Sequence, residues 1–402
     1  MEKLLIVGVN TRPLAQSAYE LGYEIYSASY FCTSDFNSYH HKKCILKENP
    51  HYSCGYFQES YRPPELRELC SEWIYEIDYI IPYTGISPQN FPSSKVLGNK
   101  NVENIENKYQ LYKKIRKHFN LPETFLLSSL EEAWEIKNQN PEKEYLIKPV
   151  YGSGGYGISH LNSFRPYTVS EDPESPDNRN YGNNRDKNNY LNSIIKEKFI
   201  LQEYISGIEV SSSAISTKKE ALSIISSSQI INSDHSSENK FIYSGNITPY
   251  PGDDLQIKEI GQEVVKYLKL IGSNGVDMII NNGEIYIIEV NPRFQGTFEC
   301  AESSLDINLI DAHIKACQGE LIKAPEVEKY SVKEIIYAPE KSLVGKINIP
   351  GVYDIPKEHT IIEKGEPIVT ILQTGETYNE ALNNVNYLRN KVKENIYSIK
   401  NI

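Results

Sequence analysis

Residues 4–9 form an apolar run, and apolar positions with helical spacing follow at 14–21, closed by Gly22. Thr11 is a candidate helix cap, and Pro13 suits a first helical turn. A second strand is expected at 23–29, a helix at 64–76 and a short buried strand at 79–82. This alternation predicts a parallel sheet with crossing helices. One or two helices are expected over 102–118. Further on, a strand at 145–148 runs into the turn Tyr151-Gly152-Ser153-Gly154-Gly155-Tyr156-Gly157. Strands are predicted at 199–204, 210–216 and 222–231, and a helix at 254–270. Residues 244–249 read as a loop between elements. Apolar segments at 274–280 and 284–289 flank Asn281-Asn282-Gly283, a strong hairpin signal. A helix at 307–318 is followed, after about 325, by strands and turns and a charged helix at 379–393. No internal repeat is visible.

Composition changes this picture little. A chain of 402 residues can form two or three structural units. Hydrophobic residues make up 39% and charged residues 24% of the chain. That is an ordinary composition for a soluble protein. The net charge is -11. It argues against nucleic acid as the main partner, because there is no basic surplus to neutralise phosphates. No run of 18 apolar residues is present, so no membrane span is expected. The opening run reads as a strand rather than a secretory leader. The six cysteines, Cys32, Cys44, Cys54, Cys70, Cys300 and Cys317, contain no C-x-x-C pair. A reduced, cytoplasmic protein without a cysteine zinc site is the expectation. Residues 165–189 are polar and poor in apolar side chains, and are expected to be a mobile surface insertion.

The segment 277–293 carries the clearest chemistry. Antiparallel pairing brings Asp277, near the start of one strand, to Glu289, at the end of the next. Asn291 and Arg293 follow at two-residue steps, on the side of Glu289. Two carboxylates and an amide oxygen suit Mg²⁺, which keeps waters and shares its other positions with phosphates. Arg293 can reach an anion held by that metal. A solvated hairpin end is the bland alternative, and it explains any single acid better than the whole set. A second group is Lys148 followed by the glycine loop. Glycines expose backbone N–H groups to phosphate oxygens, and Lys148 adds a point charge. Lysine precedes the glycines, which excludes a Walker A loop. A plain turn explains a glycine loop equally well. In the third group, 201–209, the backbone of a connector can meet a heterocycle edge and Glu209 can accept from ribose hydroxyls. Taken alone, that stretch reads as strand and turn.

In this order, these segments resemble the ATP-grasp superfamily, over nearly the whole chain. The resemblance implies an α/β ATP-grasp fold in three parts. A Rossmann-like pre-ATP-grasp domain would span 1–100. The ATP-grasp domain would span 101–325, with a lid at about 120–205 that contains the insertion. A β-rich module like that of the biotin carboxylase branch would span 326–402. The opening Gly8-Val9-Asn10-Thr11-Arg12-Pro13 and Ser29-Tyr30-Phe31 more narrowly resemble a mainly archaeal group of ATP-dependent carboligases. By resemblance, Lys108 and Lys148 would contact ATP, and Gly152, Ser153, Gly154, Gly155 and Gly157 would cover its phosphates. Gln202, Glu203 and Ile205 would form the adenine hinge, Glu209 would bind ribose, and Asp277, Glu289 and Asn291 would ligate metal. Arg293 would hold the reacting carboxylate or acyl phosphate, and Gln295 would line the acceptor pocket. Two departures stand out. Gln202 occupies a position that often carries an acid, and Asp277 replaces the commoner Glu.

The implied activity is a ligase forming C–N bonds, joining a small carboxylate to an amine through an acyl phosphate and releasing ADP. Addition of an amino acid in cofactor biosynthesis is one form of it. ATP and two Mg²⁺ ions are expected, with Mn²⁺ as a substitute, and Lys148 and Arg293 as the catalytic side chains. The alternatives are a bicarbonate-dependent carboxylase and an ATP-binding regulatory protein without ligation. Arg12 follows the first strand, where open α/β sheets bind ligands, and is a candidate substrate contact beside the plainer reading of a solvated turn. His40, His41 and His235 read as surface histidines rather than ligands. Cys300 lies near the site in sequence and is expected to be structural. A homodimer through the N-terminal domain is common in similar enzymes. Nothing in the chain specifies which acid or which amine is used.

Overall fold

In the computed structural model, residues 2–30, 33–38, 42–45, 63–152, 154–164, 198–231 and 240–399 are described. Ser153, the insertion at 165–189, and His40, His41 and His235 lie outside the described residues.

Strands β1 (Lys3–Gly8), β2 (Glu24–Ser29), β3 (Lys42–Ile45) and β4 (Tyr79–Pro82) form a parallel sheet in the order β3-β2-β1-β4. Helix α1 (Arg12–Glu20) connects β1 to β2 and buries Leu14, Ala15 and Ala18 in a core shared with Phe294, Phe298 and Ile310. Thr11 precedes it, but its side chain makes no capping bond. Instead the Thr11 backbone N–H donates to Ser29 Oγ at 3.3 Å. Helix α2 (Pro63–Leu69) ends earlier than its sequence pattern suggests, in turns that run to β4. Strands β2 and β4 flank β1 on opposite sides. The C-terminal end of β1 is therefore a switch point of the kind where open α/β sheets bind ligands. Tyr83 and Thr84, directly after β4, sit there, and Val9 N–H donates to Thr84 O at 2.8 Å.

Helices α3 (Glu103–Glu106) and α4 (Lys108–Ile115) lead to a small antiparallel sheet. It contains β5 (Thr124–Leu127), β6 (Tyr145–Pro149), β7 (Ser159–His160) and β8 (Phe199–Glu203), in the order β5-β8-β6-β7. Helix α5 (Leu130–Gln139) packs on it through Ala133, over Leu127, Ile147, Phe199 and Leu201.

An eight-stranded sheet follows. Its strands include β9 (Ile208–Ser216), β10 (Ala221–Ile231), β11 (Tyr243–Thr248), β12 (Gly272–Asn281), β13 (Glu284–Asn291) and β14 (Tyr330–Tyr337). Later in the chain come β15 (Ser342–Val344), β16 (Val352–Tyr353), β17 (Ile361–Ile362), β18 (Pro367–Gly375) and β19 (Ile396–Ser398). The large sheet has the order β13-β12-β9-β10-β11-β14-β18-β16, and β17-β15-β19 form a small separate sheet. Helices α6 (Leu255–Leu268), α7 (Phe298–Leu305), α8 (Leu309–Gln318) and α9 (Tyr378–Lys393) complete the chain. The pairing of β11 with β14 carries the sheet continuously into the residues after 326.

The stretch 244–249, expected as a loop, is largely the inner strand β11. Its polar composition misleads because those side chains bond to each other inside the protein. Asn246 Nδ2 donates to Thr248 Oγ1 at 2.8 Å, and Thr248 Oγ1 lies 2.7 Å from Ser227 Oγ. Buried polar groups are tolerated when they are paired in this way.

Candidate active site

The expected hairpin is present, with Asn282 and Gly283 both at positive φ, 48° and 85°. A two-residue turn between twisted strands requires that conformation. From the turn the strands pair regularly as far as Met278 opposite Ile287. The register then shifts, and Asp277 pairs with Glu289. This one-residue bulge at Ile288 is decisive. Uninterrupted pairing would set Asp277 opposite Ile288 and turn Glu289 to the other face. With the bulge, Asp277 and Glu289 stand directly opposite each other, and Gly275 and Asn291 form the next pair on the same face.

Asp277 is half-buried, and its two oxygens accept from side-chain amides. Asn291 Nδ2 donates to Oδ2 at 2.9 Å, and Gln229 Nε2 to Oδ1 at 2.8 Å. Burial, and next the charge of Glu289, push its carboxyl up to about 6. Glu289 is also half-buried and lies 3.6 Å from Lys108 Nζ. Arg293 follows the hairpin, with Nη1 donating to Phe294 O at 3.1 Å.

Lys148 is buried on β6. Its Nζ donates to Gln202 Oε1 at 2.6 Å on the neighbouring β8, and Gln202 Nε2 donates to Thr124 Oγ1 at 3.1 Å on β5. Gln202 brings no charge. Burial, with the repulsion of Lys108, lowers Lys148 to about 8, against an opposing pull from Glu289. Gly152, Gly154, Gly155 and Gly157 all have positive φ, at 153°, 67°, 79° and 74°. At Gly155 a Cβ would also fall onto the backbone oxygen of Phe241. Glycine is required there on both counts. The loop rests on the start of β11, where Tyr243 N–H donates to Gly154 O at 3.3 Å. Lys108 Nζ donates to Gly152 O at 2.7 Å.

These groups converge on one cleft of about 320 Å³. The connector contributes Gln202, Glu203, Tyr204, Ile205 and Glu209, with Leu146, Ile279 and Ile288 as apolar walls. Lys148, Gly154, Gly155, Asp277, Glu289, Asn291, Arg293 and Gln295 line it too. Of the sequence candidates, Lys108, Gly152, Gly157 and Arg12 are not among the lining residues. Lys108 and Gly152 are bonded to each other beside the cleft, whereas Arg12 stands apart.

Arg12 is fully buried, which corrects the expectation of a substrate-facing or solvated arginine. Its Nε lies 2.6 Å from Asp354 Oδ1 and 3.5 Å from Asp35 Oδ2, and its Nη2 donates to Glu299 Oε1 at 2.7 Å. Burial opposes its charge, but the three carboxylates outweigh it and hold the guanidinium well above its ordinary value. Lys333 Nζ pairs with the other oxygen of Glu299 at 2.7 Å. Cys300 is buried, and burial pushes its thiol up to about 11. That is the environment of an inert structural cysteine.

Sequence reasoning missed Tyr83, Thr84, Gln229, Phe241 and Tyr243, all of which line the cleft. The position of Tyr83-Thr84 after a parallel strand was an available signal. Gln229 had none, as its strand alternates without distinction from its neighbours.

Two family models match the chain: an ATP-grasp domain over residues 174–297 and a YheC/D-like ATP-grasp over residues 100–215. An uncharacterized protein of Methanocaldococcus jannaschii is 32% identical over 380 residues, covering 92% of this chain and 88% of that protein. The chain belongs to the ATP-grasp family. Solved structures agree with this ATP-grasp fold. The biotin carboxylase domain dimer of Hydrogenobacter thermophilus 2-oxoglutarate carboxylase, in complex with MgADP, ADP and bicarbonate, aligns with a TM-score of 0.69. The two share 15% identity, and the alignment covers 98% of this chain and 90% of that one. The phosphoribosylamine–glycine ligase of Thermotoga maritima aligns with a TM-score of 0.66 and 16% identity, covering 98% of this ATP-grasp chain and 97% of that one. No helix among the described residues is long and apolar enough to cross a membrane.

Proposed function

We propose that this ATP-grasp protein is a ligase that activates a small carboxylate with ATP and passes the acyl group to an amine. The observation that carries the reading is Asp277 opposite Glu289, with Asn291 on the same face, in a cleft shared with Lys148, the glycine loop and Arg293. The donor set fits Mg²⁺. Among the described residues no group of three or more His, Cys, Asp and Glu side chains is placed to hold a metal ion. Two acids and one amide would leave positions for phosphate and water. Asp277, Glu289 and Asn291 would hold the metal, which when bound neutralises charge on the transferring phosphoryl group. The solved relative with MgADP and bicarbonate supports nucleotide and metal as the class of ligand.

In the reaction, an oxygen of the acid forms a bond to the γ-phosphorus as its bond to the β–γ bridging oxygen breaks, releasing ADP. The amine nitrogen then bonds to the acyl carbon as the bond from that carbon to the bridging phosphate oxygen breaks; inorganic phosphate leaves, and the amine loses a proton. Lys148 would bind the phosphates, and Arg293 would orient the carboxylate and stabilise the charge that develops on it. The connector 202–209 would hold the base through backbone groups and the ribose through Glu209. Packing of the glycine loop on Phe241 and Tyr243 would exclude water from the acyl phosphate.

The test is a screen for ADP and phosphate release with panels of carboxylates, alone and with amines, read together with product masses. Release that needs one acid and one amine, with a condensed product, supports the proposal. Release driven by bicarbonate alone assigns a carboxylase, a reading favoured by the biotin carboxylase likeness. Nucleotide binding without any stimulated release would overturn ligation.

A further inference from the structure

Asp277 is gripped by amides from three separate parts of the chain. Asn291 reaches it from the paired strand β13. Gln229 reaches it from β10, across the intervening strand β9. Gln295, beyond the hairpin, donates from Nε2 to the same oxygen, Oδ1, at 3.1 Å. A carboxylate has about four acceptor positions, and these three bonds fill most of them. Gln295 is itself fixed. Its Nε2 also donates to Ser211 Oγ at 3.0 Å, and its Oε1 lies 3.4 Å from Ser213 Oγ. Space for it exists because residue 275 is glycine, since a Cβ there would fall inside the Gln295 amide. Gly275 is the register partner of Asn291, so the missing side chain lies within the acidic face itself.

We infer that Gln229 and Gln295 are positioning residues, which lock the Asp277 carboxylate and, through it, the Asn291 amide in the orientation that receives a divalent metal with the nucleotide. Aspartate is one methylene shorter than glutamate, so its oxygens have less freedom to find a metal by moving. Two glutamines on one oxygen, Oδ1, fix that direction, while Oδ2 takes the Asn291 amide. Because Asn291 donates through Nδ2 to Asp277, its own oxygen is turned to the other side of the amide. Gln295, which also lines the cleft, thereby acts on the metal ligands through Asp277. Partners of metal ligands that act in this way typically change metal affinity about 10–100-fold when removed.

The inference rests on the metal reading of Asp277, and the experiment separates the two. Mn²⁺ binding to the full chain is measured by electron paramagnetic resonance with ADP present, for the natural protein and for Gln229→Met, Gln295→Met and Glu289→Gln. Affinity of ADP without metal and the thermal midpoint are recorded for each. The expected result is Mn²⁺ affinity lowered about tenfold or more in both glutamine variants, with metal-free ADP affinity lowered by a clearly smaller factor. Natural Mn²⁺ affinity in both overturns the positioning role and leaves the metal site standing. Absence of ADP-dependent Mn²⁺ binding in the natural protein, or its persistence in Glu289→Gln, overturns the metal reading itself. Should Gln295→Met fail to fold, Gln229→Met decides alone.

Discussion

Lys148 Nζ donates to Gln202 Oε1 across two strands of the small sheet, and this neutral partner leaves the buried ammonium poorly compensated. With its value lowered to about 8, Lys148 loses its proton just above neutrality. Only the protonated form attracts phosphate. Nucleotide affinity is therefore expected to fall as pH rises through about 8, with proton uptake on binding above that value. Calorimetry of ADP binding on the alkaline side of that value, in buffers of different ionisation enthalpy, checks this. The stability effect has the opposite sense. Between about 8 and the unfolded value of 10.5 the folded state binds fewer protons. This group's contribution to stability therefore rises with pH across that window.

Gln202→Glu places a carboxylate on that ammonium. An opposite charge within hydrogen-bond distance favours the charged form. The alkaline fall in ADP affinity should move upward by about one pH unit or more. An unchanged profile would show that some other group controls it.

Glu289→Gln removes one of the two facing acids while keeping its shape. ATP turnover, once a substrate pair is found, should drop about 10²–10³-fold, the usual loss when one strong electrostatic contact in the transition state is removed. ADP release rates measure it, and retained turnover would remove Glu289 from the metal site.

Gly155→Ala tests the seat of the glycine loop. The left-handed backbone costs a non-glycine residue about 1–2 kcal/mol. The added carbon also meets Phe241 O. The loop should lift from β11. The amide of Tyr243, which donates to Gly154 O, should then exchange its hydrogen faster while amides of β12 keep their protection.

The strand and helix order was legible because most elements follow simple periods: apolar runs for the parallel strands, Asn-Asn-Gly for the hairpin turn, and glycines where φ is positive. Asp277 and Glu289 could be placed at one end of the hairpin from the sequence. That they share a face could not, because the bulge at Ile288 shifts the register by one residue and leaves no mark in composition. Strand β11 was hidden for a related reason: Asn246 and Thr248 look like loop residues until their mutual bonds are seen. Arg12 was read as an exposed turn residue because its carboxylate partners are distant in the chain, Asp354 lying 342 positions away.

That cluster has a consequence for how the chain can be cut. Arg12 and Asp35 belong to the first sheet and its surroundings, Glu299 to α7, Lys333 to β14 and Asp354 to the segment after β16. A fragment that ends before residue 330 would keep the arginine and Glu299 but lose Asp354 and Lys333. Uncompensated charge in an interior costs about 3–5 kcal/mol when a partner is removed. The cleft-forming segments and their flanking parts are therefore one inheritance: a shortened copy, or a graft of the cleft onto a foreign N-terminal unit, would have to bring a new set of counter-charges with it.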